Sequence, residues 1–471
     1  MSSVFDFGAM GDGQSDDTDA LQHAINDGGG SVVLPRGDYR ITRPLIVDLA
    51  KVGRVAISGT GGLAKVIMAG VGPAFFLVGT HEGNADPLNF KPQIWQKERM
   101  PTIDGIEIEG AHPEADGIRI QGTMQSTLTR VAIRGVRTAV HVSRRARNIL
   151  IDACHFFHNT GIGVHLDQVN LHQCIISDSH ISYCRLGGIR IEGGEIRNLQ
   201  ITGNDIEYNT IRSHAAKFPA EVDAPLSTAE IYIDVQNGSV REGTISSNTI
   251  QATITKGGSN IRFIGAVEKD DQVGFWTISG NLIGNQDTNI HLTRAWGVVI
   301  TGNQIYGAET RNVLIERSRN IVVSGNMLGH TSDFNPRVTA TGVRFEDSHD
   351  CLVSGLQIQD AQADTKTGPP PVPKGRQALV ELIRCQRLNV TGCQIFDGTP
   401  IGMLVEDCRE TTINNCQIID QRETPLMEKG LELRGALEHV IVSSCQIRRA
   451  TQQAISGTPH EGLTLMNNVT T

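Results

Sequence analysis

The sequence is poor in basic charge and in long apolar runs, and each shortage excludes a class of protein. Acidic side chains outnumber basic ones by 51 to 42, giving a net charge of −9. Duplex nucleic acid is bound through a basic surface, so we expect no nucleic-acid partner. No apolar run approaches the roughly 18 residues that a membrane-spanning helix needs, so we expect no membrane partner. The N-terminus "MSSVFDFGAMGDG" also lacks a basic segment followed by an apolar one, which predicts either a cytoplasmic protein or one whose secretory signal has been removed.

Metal-binding cysteine motifs are also missing. None of the 9 cysteines forms a CxxC or a Cys/His spacing of the zinc-site type, and we predict no metal site. Several cysteines recur in registers that small or polar residues otherwise occupy, which predicts reduced, structural thiols. Two of these, Cys385 and Cys408, share a register with Ala295, Ser318 and Ser348.

A repeat runs through most of the chain. Eleven positions each end a short apolar strand and are followed two residues later by Ile, Leu or Phe, as in "QITGNDI" and "NVTGCQI". These positions are Cys154, Ser179, Asn204, Asn248, Asn281, Asn303, Asn326, Leu356, Cys393, Cys416 and Cys445. The smallest interval is 22 residues, from Asn281 to Asn303, which predicts stacked coils of about that length with insertions at defined places.

Each repeat contains three short strands with internal alternation, separated by Gly, Asn and Asp. This pattern predicts an all-β, right-handed parallel β-helix with three strands per coil and about 12 coils. Interior Asn side chains stacked about 4.8 Å apart can bond one another and the backbone of a tight turn. Leu356 interrupts this predicted ladder at the cost of a local polar contact.

The N-terminal stretch points to the same architecture. In "VFDFGAMGDGQSDDTDALQHAINDGGGSVVLPRGDYRIT", Asp16 or Asp17 can cap a helix with an apolar face of Ala20, Leu21, Ala24 and Ile25, which would close the open end of the coil stack. Cap and turn chemistry also accounts for the acidic cluster around these residues better than a calcium loop does. The stretch resembles the N-terminal signature of the pectate-lyase-like β-helix superfamily, which includes polysaccharide lyases, glycoside hydrolases, uronate epimerases and phage tailspikes. We interpret residues 1–471 as one β-helix domain, with the cap and first strands in residues 1–45 and regular coils from about residue 100 to 471.

Long insertions predict where a cleft lies. They fall between the strand after the ladder residue and the next strand, at residues 209–229, 251–259, 328–341 and 359–377. Long loops on one side of a rigid sheet form binding clefts. The strands beside them include "GIRIQG", "AVHVSR", "GVHLDQ", "GIRIEG", "EIYIDV", "NIRFIG" and "NIHLTR".

The Ile, Val, Leu and Phe residues at alternate positions of these strands are expected to point inward. The positions between them therefore point outward and form a polar stripe. Three carboxylates on successive coils, Asp167, Glu192 and Asp234, are the candidate catalytic residues. Neighbouring coils place such groups at the spacings used by paired-carboxylate glycoside cleavage, and crowding is expected to raise the pKa of one of them. The candidate substrate-binding residues on the same stripe are His141, His165, Arg190, Tyr232, Arg262 and His291.

Other acidic residues are secondary candidates or lie elsewhere. Glu195 and Glu230 are second-line candidates for the site. Asp205 and Glu207 belong to the following strand and are expected outside the cleft. Ordinary cross-strand pairing on a solvated face remains the alternative interpretation of every residue in the stripe.

Three functions compete. The first is a carbohydrate-active enzyme that cleaves or rearranges glycosidic bonds of a polysaccharide or oligosaccharide with paired carboxylates. The second is a polysaccharide lyase that acts by β-elimination on a uronate glycan, with Ca²⁺ possible, Arg190 and Arg262 facing the substrate carboxylate, and His165 or Tyr232 taking the proton. The third is a glycan-binding or tailspike-like protein without catalysis. No cofactor is expected for the first, and a homotrimer is implied only by the resemblance.

Known catalytic motifs of the superfamily are absent. The polygalacturonase pattern, the Asp-Pro-His-Glu of mannuronan epimerases and the Trp-Ile-Asp-His of the main pectate lyases do not occur in this sequence. No catalytic residue of those families can therefore be carried over to this chain, and the substrate stays open.

Overall fold

The structure is a computed structural model that describes residues 2–83, 87–210, 229–269, 271–329, 342–360, 372 and 375–470. The chain divides into two compact units, Met1–Thr244 and Ile245–Thr471. Each unit is built from parallel strands arranged three to a coil, as predicted. In the part of the chain that is described, no helix combines the length and apolar character needed to cross a membrane.

The N-terminal helix Thr18–Asp27 buries Leu21, Ala24 and Ile25 as predicted, whereas Ala20 is only half-buried. Its cap differs in detail from the prediction. Asp17 stands at the N-cap but its carboxylate accepts from the backbone N–H groups of Met10 and Gly11, at 2.6 and 3.0 Å. Asp16 instead accepts from the N–H of Thr18 at 3.1 Å. The other helical turns among the described residues are Val4–Phe7, Leu49–Val52, Pro87–Asn89 and Ile94–Glu98.

The first unit contains three parallel sheets, which we number by their order within a coil. The first sheet comprises Leu45–Asp48, Gly72–Val78, Ala115–Met124, Thr138–Asp152, Ile162–Ser177, Gly187–Glu192 and Ala229–Asp234. The second comprises Ser2–Ser3, Ser31–Val33, Ala56–Ser58, Thr102–Asp104, Thr127–Thr129, Glu195–Thr202 and Ser239–Ser246, together with the later halves of Thr138–Asp152 and Ile162–Ser177. The third comprises Asp12–Asp16, Gly37–Ile41, Ala64–Met68, Ile106–Gly110, Ala132–Arg134, His155–Phe157, His180–Ser182 and Asp205–Glu207.

The second unit repeats the same plan. Its first sheet comprises Ser259–Ile264, Thr288–Thr293, Arg311–Glu316, Val343–Glu346, Val380–Ile383, Ile401–Glu406, Lys429–Arg434 and Gln453–Ser456. Its second comprises Val273–Ser279, Ala295–Thr301, Arg319–Ser324, His349–Ser354, Gln386–Thr391, Thr412–Asn414, Val440–Ser443 and Leu463–Met466. Its third comprises Thr249–Gln251, Leu282–Gly284, Gln304–Tyr306, Met327–Gly329, Gln357–Gln359, Gln394–Phe396, Gln417–Ile419, Gln446–Arg448 and Val469–Thr470.

Apolar residues of successive coils stack on one another in the core. In the first sheet Ile189 pairs with Ile231 and Ile191 with Ile233, and all four side chains are buried. Because side chains alternate along a strand, this register leaves the intervening polar residues on the outer surface. The inward and outward assignment made from the sequence is therefore confirmed for these strands.

The predicted ladder forms at the turn after the second sheet. Asn281 Oδ1 accepts from the backbone N–H of Asn248 at 3.0 Å, and Asn303 and Asn326 continue the pattern in the following coils. In the first unit the N–H of Cys154 donates to Ser179 Oγ and that of Ser179 to Asn204 Oδ1. All nine cysteines are buried thiols.

A second ladder was missed in the sequence. Asn260, Asn289 and Asn312 are fully buried, with Nδ2 of Asn260 donating to Asn289 Oδ1 at 2.8 Å and Nδ2 of Asn289 donating to Asn312 Oδ1 at 2.6 Å. Each of these residues immediately precedes the first buried Ile or Val of its strand. The recurring Asn before that residue was the signal that could have predicted it.

The predicted insertions are only partly described. The segment 251–259 is held to its neighbouring coil, since Thr255 N–H donates to Gln286 Oε1 and Gly257 N–H donates to Asp287 Oδ2, both at 2.7 Å. The insertions predicted at 209–229, 328–341 and 359–377 lie, except at their ends, outside the described residues. The cleft that they were expected to wall therefore stays a prediction.

Candidate functional site

Two outward rows of polar side chains cross the first sheet of the first unit. Backbone pairing places residues of successive strands opposite one another, so each row is a continuous line of side chains. The first row consists of Arg119, His141, His165, Arg190 and Tyr232. The second row consists of Gln121, Ser143, Asp167, Glu192 and Asp234.

The three candidate carboxylates lie on consecutive strands of the second row. Asp167 pairs with Glu192, and Glu192 pairs with Asp234. Adjacent parallel strands are about 4.8 Å apart, so the backbone positions that carry these carboxylates lie one strand spacing apart. The three positions thus lie side by side on stacked strands as expected, and their catalytic role stays a prediction.

Each histidine of the first row contacts the carboxylate of the following coil. His141 Nε2 lies 3.1 Å from Asp167 Oδ2, and His165 Nε2 lies 3.0 Å from Glu192 Oε2. The two imidazole rings stack with a centroid distance of 5.3 Å and an interplanar angle of 17°. Burial holds the pKa of His141 below its ordinary value, although its contact with Asp167 opposes that shift.

Glu192 is held in its ionised form. The hydrogen bond to His165, together with Arg190 Nη2 at 3.0 Å from Oε1, lowers the pKa of Glu192 to about 2. Glu192 is therefore not the carboxyl whose pKa crowding was expected to raise, because its hydrogen bonds with His165 and Arg190 outweigh the effect of burial. At neutral pH Glu192 can accept a hydrogen bond or a proton but has none to donate.

Arg190 and Tyr232 form the next part of the site. The guanidinium of Arg190 lies 4.3 Å from the centroid of the Tyr232 ring, a cation–π distance. Tyr232 Oη in turn lies 3.3 Å from Asp234 Oδ2. Burial, aided by Asp234, raises the pKa of Tyr232, so the phenol keeps its proton at neutral pH.

One group in these rows has the donors to hold a metal ion. Ligand atoms of His141, His165 and Asp167 all lie within 4.8 Å of one another. Two imidazole nitrogens and a single carboxylate oxygen suit transition metals better than Ca²⁺, which takes six to eight oxygen ligands. The Ca²⁺ considered for a lyase was assigned to the carboxylates and not to this group, and it stays a prediction.

The remaining predicted residues, Arg262 and His291, lie in the second unit. Arg262 Nη1 donates to Thr293 Oγ1 at 2.9 Å and to the carbonyl oxygens of Phe263 and His291. His291 Nε2 lies 2.7 Å from Glu316 Oε2, and this contact lowers the pKa of Glu316 to about 2. Glu316 was not among the predicted residues. It pairs with Thr293, so extending the outward row by one coil would have found it.

Two acidic groups outside the rows have raised pKa values. Burial and the neighbouring Asp205 raise the pKa of Glu207 to about 7, on the third sheet where both were expected. Glu230 is fully buried, and burial raises its pKa well above the ordinary value. Its oxygens accept from Asn209 N and Nδ2 at 2.9 and 2.6 Å.

The two second-line candidates, Glu230 and Glu195, therefore lie in different environments. Glu230 precedes the inward Ile231 at an interior position, so it is unsuited to contact a substrate and its assignment to the site is wrong. Glu195 is exposed and pairs with Arg197 Nη2 at 3.4 Å.

Family models match the first half of the chain. Residues 1–91 match the model described as "Rhamnogalacturonase A/epimerase, pectate lyase-like", and residues 94–218 match "Right handed beta helix region". Together with the stacked parallel sheets, these matches confirm a right-handed parallel β-helix and the resemblance to the pectate-lyase-like superfamily. Neither model spans half of the chain, and the particular family within the superfamily is not identified.

Curated relatives match short segments. Mannuronan C5-epimerase AlgE3 of Azotobacter vinelandii is 35% identical over 130 residues, which is 22% of this chain and 7% of that protein. Alginate lyase 7 of the same organism is 57% identical over 44 residues, or 8% of this chain and 5% of that protein. The chain thus spans less than a tenth of the length of these relatives.

Solved structures with a similar fold have low sequence identity. The A-module of mannuronan C-5 epimerase AlgE6 from Azotobacter vinelandii is 16% identical with a TM-score of 0.36, covering 100% of this chain and 99% of that one. Tailspike protein 3 of bacteriophage CBA120 is 12% identical with a TM-score of 0.44, covering 99% of this chain and 61% of that one. At these values the likeness carries no argument about function.

Proposed function

We propose that the protein is a carbohydrate-active enzyme that removes the C5 proton of a uronate unit in an acidic polysaccharide. The observation that supports it is the connected set of Arg190, Tyr232 and Asp234 on the outward rows. Proton removal next to a substrate carboxylate can use a cation that binds this carboxylate and a phenol that passes its own proton to a neighbouring carboxylate as it takes one from carbon. The relatives named as C5-epimerases and an alginate lyase agree with this class of chemistry.

Each residue has a role that follows from its contacts. Arg190, positioned by Glu192 at 3.0 Å, binds the uronate carboxylate and stabilises the charge that develops when C5 loses its proton. Tyr232 takes the C5 proton while its own phenolic proton passes to Asp234, whose Oδ2 lies 3.3 Å from the phenol oxygen, so that the Asp234 carboxylate ends the step protonated. Elimination and epimerisation share this first step and differ in whether the glycosidic bond then breaks.

The test is turnover of uronate polysaccharides by the purified protein. We expect either unsaturated chain ends that absorb in the ultraviolet, or an altered C5 configuration by NMR without chain cleavage. Tyr232→Phe should lower kcat by about 10²-fold or more, since general acid–base groups contribute about 10²–10⁴-fold. The matched control is Tyr183→Phe, which changes a half-exposed tyrosine on a turn and should leave kcat unchanged. Full activity of Tyr232→Phe, or no action on any uronate polymer, would contradict the proposal.

A second candidate is hydrolysis or transfer at a glycosidic bond by Asp167, Glu192 and Asp234. It is favoured by their pairing on consecutive strands, which gives spacings of the size that retaining and inverting enzymes use. Because Glu192 is ionised, it would serve as nucleophile or base and one of the two aspartates as the acid. New reducing ends without ultraviolet-absorbing products, lost in Glu192→Gln and Asp234→Asn, would support this reaction over proton removal at C5. Glycan binding without any turnover would support neither reaction and would favour a binding protein.

A further inference from the structure

The centre of the two outward rows also contains a cluster of side chains that can serve as metal ligands. His141 and His165 occupy successive coils of the first row, and Asp167 stands two residues after His165 on the same strand. Their ligand atoms already lie within 4.8 Å of one another, and His141 Nε2 is 3.1 Å from Asp167 Oδ2. Rigid strands hold all three side chains, so an ion could be bound by small side-chain rotations without moving the backbone.

We infer that His141, His165 and Asp167 form a binding site for a divalent transition-metal ion of the zinc type. Two imidazoles and one carboxylate are the donor set of many catalytic zinc sites, which leave a position open for water or substrate. All three side chains remain partly exposed, at 25%, 16% and 38% of their surface, so such a position would face the outer surface of the sheet.

Glu192 supplies the support that metal-bound histidines usually have. Its Oε2 lies 3.0 Å from Nε2 of His165, and Arg190 holds the other oxygen of the same carboxylate. A carboxylate hydrogen-bonded to a ligating imidazole fixes the ring and raises its basicity, and loss of such a partner typically costs about 10–100-fold in metal affinity.

The second unit shows that a His–carboxylate pair alone does not create this arrangement. His291 and Glu316 repeat the contact at 2.7 Å, but the residue after His291 in the same row is Leu314, so no second imidazole follows. Within the described ranges, His141, His165 and Asp167 are the one group of three such ligands that meets the distance. The His291–Glu316 pair therefore provides a matched control.

The metal site deepens the proposed function. The role of the ion rests on that function, whereas binding of the ion is independent of it. An ion held one coil before Arg190 places a second positive charge on the face where a uronate carboxylate would lie. Metal ions stabilise developing charge on such oxygens as Lewis acids. With His165 serving as a ligand, proton transfer is left to Tyr232 and not to His165.

Calorimetric titration of the chelator-treated full chain with Zn²⁺ tests the inference, with Co²⁺ as a spectroscopic probe and Ca²⁺ as the comparison ion. We expect one Zn²⁺ per chain, a Co²⁺ absorption spectrum typical of nitrogen and oxygen ligands, and much weaker binding of Ca²⁺. His141→Gln, His165→Gln and Asp167→Asn should each weaken Zn²⁺ binding at least about tenfold, and Glu192→Gln should weaken it by a similar factor. His291→Gln should bind Zn²⁺ like the unaltered protein. Circular dichroism of each variant checks that it is folded.

The outcomes separate this inference from the proposed function. No stoichiometric binding, binding equal to that of Ca²⁺, or unchanged affinity in the three ligand variants would overturn the metal site. Uronate turnover that survives complete metal removal would leave the proposed function standing while overturning the role of the ion. Site-dependent Zn²⁺ binding without action on any uronate polymer would support the metal site and contradict the proposed function.

Discussion

Two glutamates show that position within a coil decides the chemistry of a carboxyl group. Glu192 points outward, where His165 and Arg190 keep it ionised. Glu230 points inward, where burial raises its pKa and Asn209 supplies two hydrogen bonds. Glu230 stands at the start of its strand, where Ala229, Glu230 and Ile231 are all buried, so the alternation of faces that begins at Ile231 does not place it outward.

Removal of the buried carboxyl should destabilise the protein. Glu230→Ala leaves the backbone N–H and the Nδ2 of Asn209 without their acceptor inside the core, and each unsatisfied buried group costs roughly 1–3 kcal/mol. We expect the free energy of unfolding, measured by urea titration, to fall by at least that amount. Glu195→Ala, at an exposed position, should change it by less than about 0.5 kcal/mol. Equal stability of the two variants would show that the interior hydrogen bonds of Glu230 contribute nothing.

At the scale of elements, the turns are specified by polar ladders and the strands by apolar stacking. Asn281 both accepts from the N–H of Asn248 and donates Nδ2 to the carbonyl oxygen of Ile245 at 3.0 Å. Its neighbour Asn303 repeats the pattern one coil later. A tight turn buries backbone groups that no strand can satisfy, and the amide side chain satisfies them.

The ladder predicts a measurable difference between interior and exterior amides. Asn281→Ala removes an acceptor from one buried N–H and a donor from one buried carbonyl oxygen, so it should lower the free energy of unfolding by about 2 kcal/mol or more. Gln304→Ala changes an exposed amide on the third sheet and should have little effect. Thermal and urea unfolding of both variants provide the comparison. Indistinguishable unfolding curves for the two variants would show that the ladder contributes nothing to stability.

At the scale of the whole molecule, the described residues of each unit include a histidine–glutamate pair whose carboxylate has a pKa of about 2. These are His165 with Glu192 in the first unit and His291 with Glu316 in the second. Glutamate in the unfolded chain has an ordinary pKa of 4.5, so the folded state binds fewer protons. The stability that this difference provides is fully present above pH 4.5 and is lost as the pH falls toward 2.

Acid unfolding should therefore depend on these two residues. We expect the Tm, measured by calorimetry, to decline as the pH falls from 4.5 toward 2. The double variant Glu192→Gln/Glu316→Gln should start with a lower Tm at neutral pH but lose less of it over the same range. The matched double variant Glu195→Gln/Glu423→Gln, at exposed positions, should keep the slope of the unaltered protein. An unchanged acid slope in Glu192→Gln/Glu316→Gln would contradict the assignment of the low pKa values.

The positions of the candidate site residues could be predicted from the sequence, because they depend on strand alternation and on the register of the repeat. The outward rows from Arg119 to Tyr232 follow from alternation, and the pairing of Asp167, Glu192 and Asp234 follows from the repeat. Side-chain partners could not be predicted in the same way. Whether Glu192 is protonated depends on His165 from the preceding coil and on the rotamer of Arg190, and these contacts form only when the coils stack.

By itself, the sequence determined the parallel β-helix, the inward faces of its strands and the polar turn ladder, because each depends on local periodicity and on like residues stacking on like. The single continuous domain stays a prediction. Tertiary structure alone decided that Glu230 is an interior acid, that Glu192 is an anion and that His141 and His165 stack beside Asp167. Those properties arise from distances between side chains of different coils and from the loss of water around them, and neither quantity is encoded in the spacing of residues along the chain.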